Sequence, residues 1–167
     1  MGLFATDIHA IPMIGESVVR IATLADAADI AEMSRDYIEK GLPWNWRFNR
    51  VARAVKDPDT NVVVVGCPGA LLAFGIMSYR DEDAHLLLFA VRTAHRKKGI
   101  GSAVLTWLEA VARSAGSQRI LVEARRENEI ARSFYNEHGY HERAIEKAMY
   151  GNAADGIRLE KWLLTDD

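Results

Sequence analysis

Residues 85–103 read HLLLFAVRTAHRKKGIGSA, and within them one kind of chain gives way to another. His85 to Val91 is almost continuously apolar, the pattern of a strand covered on both faces. Arg96-Lys97-Lys98 then sets cations directly before Gly99-Ile100-Gly101-Ser102-Ala103, where glycine leaves the backbone most open. From Ile100 the period becomes helical: Ile100, Val104, Trp107, Leu108, Val111 and Ala115 fall on one face, and Gly116 closes it. Arg119 to Ala124 (RILVEA) reads as a second strand. Strand, helix and strand in that order make a βαβ unit, whose crossover lays the two strands parallel.

Outward from this unit the elements are shorter and pair differently. Residues 1–16 read as an N-terminal extension, since Pro12 and Gly15 break any period, and Ser17 to Thr23 (SVVRIAT) is a strand. Ile30, Met33, Tyr37 and Ile38 recur at helical spacing up to Gly41, and Trp44, Phe48, Val51 and Val55 give a second helix over roughly 44–56, ending before Pro58. Asn61 to Val65 is β-branched, Cys67-Pro68-Gly69 is a turn, and Ala70 to Tyr79 is the hairpin partner. Asp81-Glu82-Asp83 is a polar turn. Downstream, Asn128 to His138 is a helix ended by Gly139, and Tyr140–Tyr150 with Gly156–Leu164 form a closing antiparallel pair. The expectation is a single α/β domain over 17–167: a mixed, mostly antiparallel sheet of about seven strands with a central parallel pair and four helices.

Composition narrows the function classes. With 167 residues, 49% of them hydrophobic, the chain can bury one substantial core. A formal net charge of −2 offers no global attraction for nucleic acid or an anionic membrane, and neither is expected as a partner. Any phosphate binding has to come from a local patch. The lone Cys67 excludes an internal disulfide framework and suits a reducing compartment. The longest apolar stretch, Val62 to Met77, is interrupted by Gly66, Pro68 and Gly69, short of the roughly eighteen residues a span requires. Met1-Gly2-Leu3-Phe4-Ala5-Thr6 formally matches a myristoylation pattern, but six residues are weak evidence and the stretch reads as a frayed terminus; it also lacks the basic start of a signal peptide. A cytoplasmic location is expected.

The basic-glycine loop sits where a buried strand turns into a helix N-terminus. Backbone N–H groups there lack intrahelical partners, the helix dipole is positive, and glycine allows close approach. Arg96, Lys97 and Lys98 add charge beside those donors, which together would cradle a diphosphate. A solvated basic turn is the alternative. The spacing is neither a Walker loop nor the three-glycine dinucleotide fingerprint.

Arg96-Lys97-Lys98-Gly99-Ile100-Gly101 is similar to the Arg/Gln-x-x-Gly-x-Gly/Ala signature of the GNAT superfamily of N-acetyltransferases. Asn128-Glu129-Ile130-Ala131-Arg132-Ser133-Phe134-Tyr135-Asn136-Glu137-His138-Gly139-Tyr140 resembles that family's Asn-x-x-Ala-x-x-Phe-Tyr-x-x-x-Gly-Phe/Tyr helix. The element order over roughly residues 18–164 resembles its fold; Thr93 departs, standing where the family often has proline. The resemblance implies acetyl-CoA as co-substrate, no metal, and acetyl transfer to a primary amine by direct attack in a ternary complex. It places the pyrophosphate on Arg96, Lys97, Lys98, Gly99, Ile100, Gly101 and Ser102, and the pantetheine along the Phe89, Ala90 and Val91 backbone with Asn128 and Phe134 beside it. An N–H near Phe89 or Ala90 would serve the developing oxyanion; ordinary ladder bonding is the alternative reading of that backbone.

Two residues are candidates for proton transfer. Tyr135, a phenol with an ordinary pKa of about 10, is matched to a departing thiolate as general acid, although Ala131, Phe134, Tyr135 and His138 also share a packing face. Glu123 interrupts an apolar strand, and burial there would raise its pKa toward that of a base; an exposed or ion-paired carboxylate, or water as base, is the alternative. Its spacing ahead of Tyr135 resembles that of the ribosomal-protein N-terminal acetyltransferases within the family, as does the Met149–Gly156 segment. Asn128 also suits a helix N-cap. Between the first two helices, Trp46 is the candidate for the acceptor pocket and Trp44 for the core stripe. His138 and His141 lack further metal ligands at matching spacing. The acceptor is open between a small molecule and a peptide or protein amine, and the resemblance allows a homodimer. The rival readings are a non-catalytic acyl-CoA-binding or sensing module on the same fold, and a nucleic-acid module reading the basic loop with Arg125 and Arg126.

Overall fold

The computed structural model describes residues 13–14, 17–80, 82–151 and 154–163. Met13–Ile14 (β1), Ser17–Ile21 (β2), Thr60–Cys67 (β3), Ala70–Ser78 (β4), Asp83–Val91 (β5), Arg119–Arg125 (β6), His141–Glu146 (β7) and Gly156–Trp162 (β8) form one sheet, ordered β1-β2-β3-β4-β5-β6-β8-β7. The helices are Ala27–Met33 (α1), Phe48–Lys56 (α2), Ile100–Ser114 (α3) and Glu129–Glu137 (α4). β5 and β6 are parallel and every other neighbouring pair is antiparallel. This is the mixed sheet with a central parallel pair that the sequence predicts. Within the expected extension, Met13–Ile14 pairs with Ser17–Val18 at the sheet edge. The rest of that extension lies outside the described residues.

Two cores, one on each face, explain the run of valines in β3. Val62 and Val64 pack with Ile30, Met33 and Val51 of α1 and α2, while Val63 and Val65 pack with Val104 and Leu108 of α3. A strand buried on both faces has no polar side, so the period-2 signal vanishes from the sequence. Each such side chain contributes roughly 1.5–3 kcal/mol relative to exposure.

α2 is shorter than the periodicity predicts. It starts at Phe48 rather than Trp44 because buried Glu39 takes the amides of Asn45 (2.8 Å) and Trp46 (3.2 Å), holding residues 44–47 outside the helix. The end of α1 widens into a π turn over Ser34–Ile38. Among the described residues no helix is long and apolar enough to cross a membrane.

β5 carries the irregularity on which the site depends. Its register with β4 passes from Met77↔Leu86 to Ile76↔Leu88, leaving Leu87 as an extra, exposed residue. The bulge exchanges the faces of the strand: Ala84 and Leu86 point into the α3 core, but Leu88 and Ala90 into the α1–α2 core. Phe89 and Val91 are thereby turned toward α3 and α4.

Candidate active site

β5 and β6 are paired only from Asp83↔Arg119 to Leu86↔Val122, yet the strands run on to Val91 and Arg125. Their outer edges stay bonded, β5 to β4 through Val91 and β6 to β8 through Arg125↔Gly156. The inner edges part at the Leu87 bulge. A cavity of about 890 Å³ opens there. Its walls include Phe134 and Tyr135 of α4 on one face and Tyr37 and Ile38 at the end of α1 on the other, so it passes through the sheet at the parting.

One part of the wall is the loop into α3. Arg96 N–H donates to Thr93 O (3.4 Å) and Ala103 N–H to Gly99 O (3.1 Å); among the described residues, the amides from Lys97 through Ser102 between them have no protein acceptor. Lys97 (φ 60°) and Gly99 (φ 81°) are both left-handed, which curls these donors into a concave nest. Gly99 is needed for that dihedral, since a Cβ there would meet nothing within 4 Å. Gly101 is needed for packing: a Cβ would stand 3.3 Å from both Phe134 Cε2 and Phe89 Cζ. Arg96 donates from Nε to Val91 O (3.2 Å), and its guanidinium lies 5.9 Å from the Tyr37 ring centre. Ser102 Oγ lies 2.8 Å from His138 Nε2, and His138 Nδ1 lies 2.7 Å from Phe134 O. A carbonyl can only accept, so Nδ1 carries the proton and Nε2 accepts from Ser102.

The second part is aromatic. Phe89 and Phe134 stack with centroids 5.3 Å apart, and Tyr135 meets them at 6.2 and 5.6 Å. Tyr135 is 5% exposed, and burial, with Tyr150 adding to it, pushes its phenol well above the ordinary range. Its hydroxyl has no protein partner among the described residues and is not sealed off, so it opens on the cavity that Tyr135 lines. Asn128 caps α4, accepting from Ala131 N–H (3.1 Å), and also lines the cavity.

The model of the acetyltransferase (GNAT) family matches residues 26–140. This chain belongs to the GNAT family. It is thus an acetyltransferase-family enzyme, and the loop and α4 just described are the segments that carry the family motifs. Solved structures agree on the fold at low identity. Ard1 from Thermoplasma volcanium is 19% identical with a TM-score of 0.77, the match covering 89% of this chain and 99% of that one. The ribosomal-protein-S18-alanine N-acetyltransferase of Escherichia coli is 19% identical with a TM-score of 0.73, covering 90% and 96%. The PaiA N-acetyltransferase of Thermoplasma acidophilum, in complex with coenzyme A, is 18% identical with a TM-score of 0.72, covering 88% and 99%. The comparison with curated proteins finds no match.

Within this GNAT domain the expected site residues divide. Phe89, Ala90, Val91, Arg96, Lys97, Gly99, Gly101, Ser102, Asn128, Phe134, Tyr135 and Glu123 all line the cavity. Ile100 does not: its side chain is buried in the α3 core, although its amide belongs to the free set. Lys98 is exposed beside the loop. Glu123 reaches the wall as the exposed, ion-paired carboxylate of the alternative reading: its side chain is 54% exposed and pairs with Arg158 at 3.7 Å. Trp46 packs on the α1–α2 core beneath Arg50 and is not among the residues lining this cavity. His138 is engaged with Ser102 and His141 is exposed on β7, and among the described residues no group of three or more His, Cys, Asp or Glu is placed to hold a metal.

Sequence reasoning missed three residues. Arg125 donates from Nη2 to Ile38 O (2.9 Å) and Lys40 O (2.6 Å), tying the end of β6 to the chain after α1. Its guanidinium lies 5.8 Å from the Tyr150 ring centre, and Tyr150 and Tyr37 both line the cavity. Arg125, Ile38, Lys40, Glu123 and Tyr150 together form a mouth. The sequence offered only a polar residue at a strand end and two tyrosines near chain turns, signals shared with many surface positions.

Proposed function

We propose that this enzyme transfers an acetyl group from acetyl-CoA to a primary amine by direct attack in the cavity between β5 and β6. The observation that carries this reading is the conjunction of unpartnered amides from Lys97 to Ser102 with the unpartnered Tyr135 hydroxyl in one continuous cavity. Those amides, with Arg96, Lys97 and Lys98 beside them, fit the diphosphate of CoA; the open inner edge of β5 from Leu87 to Val91 fits an extended amide-bearing arm, which would add to it as a strand does. Acetyl-CoA supplies an activated acyl group and a leaving thiolate. Tyr135 would supply the proton: a phenol is protonated at neutral pH, burial raises its pKa further, and its hydroxyl opens on the cavity in which the thiolate would form. Backbone N–H on the open edge near Phe89 and Ala90 would stabilise negative charge on the carbonyl oxygen. Half-exposed Glu123 stands at the mouth, where it attracts a cationic amine and passes its proton to solvent.

The test is acetyl-CoA turnover on a panel of amines, following free thiol and acetylated product together. Tyr135→Phe is expected to lower kcat about a hundredfold while leaving the calorimetric affinity for acetyl-CoA within a factor of a few. Unchanged kcat where chemistry limits the rate would return Tyr135 to packing. Saturable acetyl-CoA binding with no thiol release from any amine would favour the non-catalytic acyl-CoA-binding module.

A further inference from the structure

α2 carries cations at both ends, unfavourable at its N-terminus and favourable in its last turn, where Arg53 and Lys56 stand. The segment WRFNRVARAVK, residues 46–56, carries Arg47, Arg50, Arg53 and Lys56 and no acidic residue. Arg47 is the N-cap and makes no side-chain cap, and no acid stands in the first turn, so cations meet the positive end of the dipole. Arg50, Arg53 and Lys56 follow at i, i+3, where like charges repel. Val51 and Ala54 face the core, which leaves the three cations as a band across the solvent side. All are exposed, and among the described residues none of Arg47, Arg50, Arg53 or Lys56 forms an ion pair, while Asp57, which follows the helix, is taken by Arg80. Four cations without an ion pair on and beside one short helix, in a chain of net charge −2, make a local positive patch of the kind that meets an acidic partner.

We propose that this band docks an acidic polypeptide segment, so that the amine acetylated at the mouth belongs to a polypeptide with acidic residues near it; this rests on the acetyl-transfer reading above. The mouth and the band are joined by one short stretch: Lys40 lines the cavity, and Glu39 holds the amides of Asn45 and Trp46 immediately before α2. Nine helical residues span about 13.5 Å, a length that about four residues of extended chain cover. Single-stranded nucleic acid fits less well. It needs open aromatic faces for its bases, and here the tryptophans are covered: Trp44 by Arg35 and Arg47 (5.2 and 4.8 Å), Trp46 by Arg50 (4.1 Å).

The full chain is titrated, by fluorescence anisotropy at low salt, into two labelled peptides, one with Asp and Glu following a free N-terminal amine and one with Asn and Gln in their place. The acidic peptide is expected to bind about tenfold more tightly, the preference vanishing in Arg50→Glu/Arg53→Glu and surviving in Arg50→Lys/Arg53→Lys, with circular dichroism showing each folded. Turnover of the acidic peptide falls in parallel, and turnover of a small amine is unchanged. Equal binding of the two peptides, or a preference that survives charge reversal, overturns the proposal. Tighter binding of a single-stranded RNA, lost in the Glu variant, reassigns the band to nucleic acid and also overturns it. Loss of acetylation on every amine would sink the catalytic reading, while anisotropy would still decide the docking surface.

Discussion

Burial separates the two side chains that the sequence offers for proton transfer. Tyr135 is enclosed by Phe89, Phe134 and Tyr140, and the low-dielectric surroundings that raise its pKa hold it in the protonated form that an acid requires, while making it a weaker acid than a free phenol. Glu123 is half-exposed and pairs with Arg158 at 3.7 Å. The two loop glycines separate in the same way. Gly99 serves its positive φ, so Gly99→Val should cost about 1–2 kcal/mol of stability in urea unfolding, and Gly99→Asn less, because asparagine tolerates the left-handed region. Gly101 serves contact with Phe134 and Phe89, so Gly101→Ala should displace those rings and weaken acetyl-CoA binding without that backbone penalty. Equal stability loss for valine and asparagine at position 99 would refute the distinction. Tyr135, Phe134 and both glycines were legible in the sequence because local spacing defines their motifs. Arg125, Tyr150 and Tyr37 were not, because contacts such as Arg125 to Ile38 join distant parts of the chain.

At the level of elements, the site is a consequence of one extra residue. The bulge at Leu87 turns Phe89 toward α4 and coincides with the point where β5 and β6 part. An all-apolar run such as Leu86-Leu87-Leu88-Phe89-Ala90-Val91 hides it, since exchanging faces alters nothing when both faces are buried. The parallel pair itself was legible, because the helical stripe of α3 between two apolar strands permits little else. The start of α2 was not: Trp44 fits the stripe, and only the capture of Asn45 and Trp46 by Glu39 delays the helix. The mouth depends on Arg125, which clasps β6 to the carbonyls of Ile38 and Lys40. Arg125→Ala should raise the KM of the amine acceptor about tenfold through the loss of two charge-assisted hydrogen bonds, leaving the dissociation constant of acetyl-CoA nearly constant. Steady-state kinetics with isothermal titration separate the two effects, and a loss confined to acetyl-CoA affinity would place Arg125 with the cradle instead.

Across the whole molecule, the α1–α2 layer must stay registered on the sheet for the mouth to exist, and buried carboxylates do much of this. Asp29 accepts from Leu71 N–H (3.0 Å) and from Arg92 Nη2 (2.8 Å), joining α1 to β4 and to the chain after β5. Asp26 accepts both terminal nitrogens of Arg20 at 2.8 Å and Thr23 N–H at 2.8 Å, while Arg20 also donates to Gly66 O at the β3 bulge. The Asp26 side chain is fully buried and that of Arg20 is 34% exposed. The hydrogen bond from Arg20, ahead of the opposing cost of burial, holds the Asp26 carboxyl below its ordinary value. A carboxyl depressed in the folded state stabilises it above the unfolded value of about 3.9, and that contribution fades as pH falls through the lower folded value. Asp26→Asn should therefore cost about 2 kcal/mol at pH 7, less than for a fully buried pair because Arg20 can turn to water. The gap between wild type and variant in urea unfolding should narrow progressively below about pH 4. A gap that stays constant down to pH 2 would mean that Asp26 acts by shape alone and that its charge does not help to hold the two layers together.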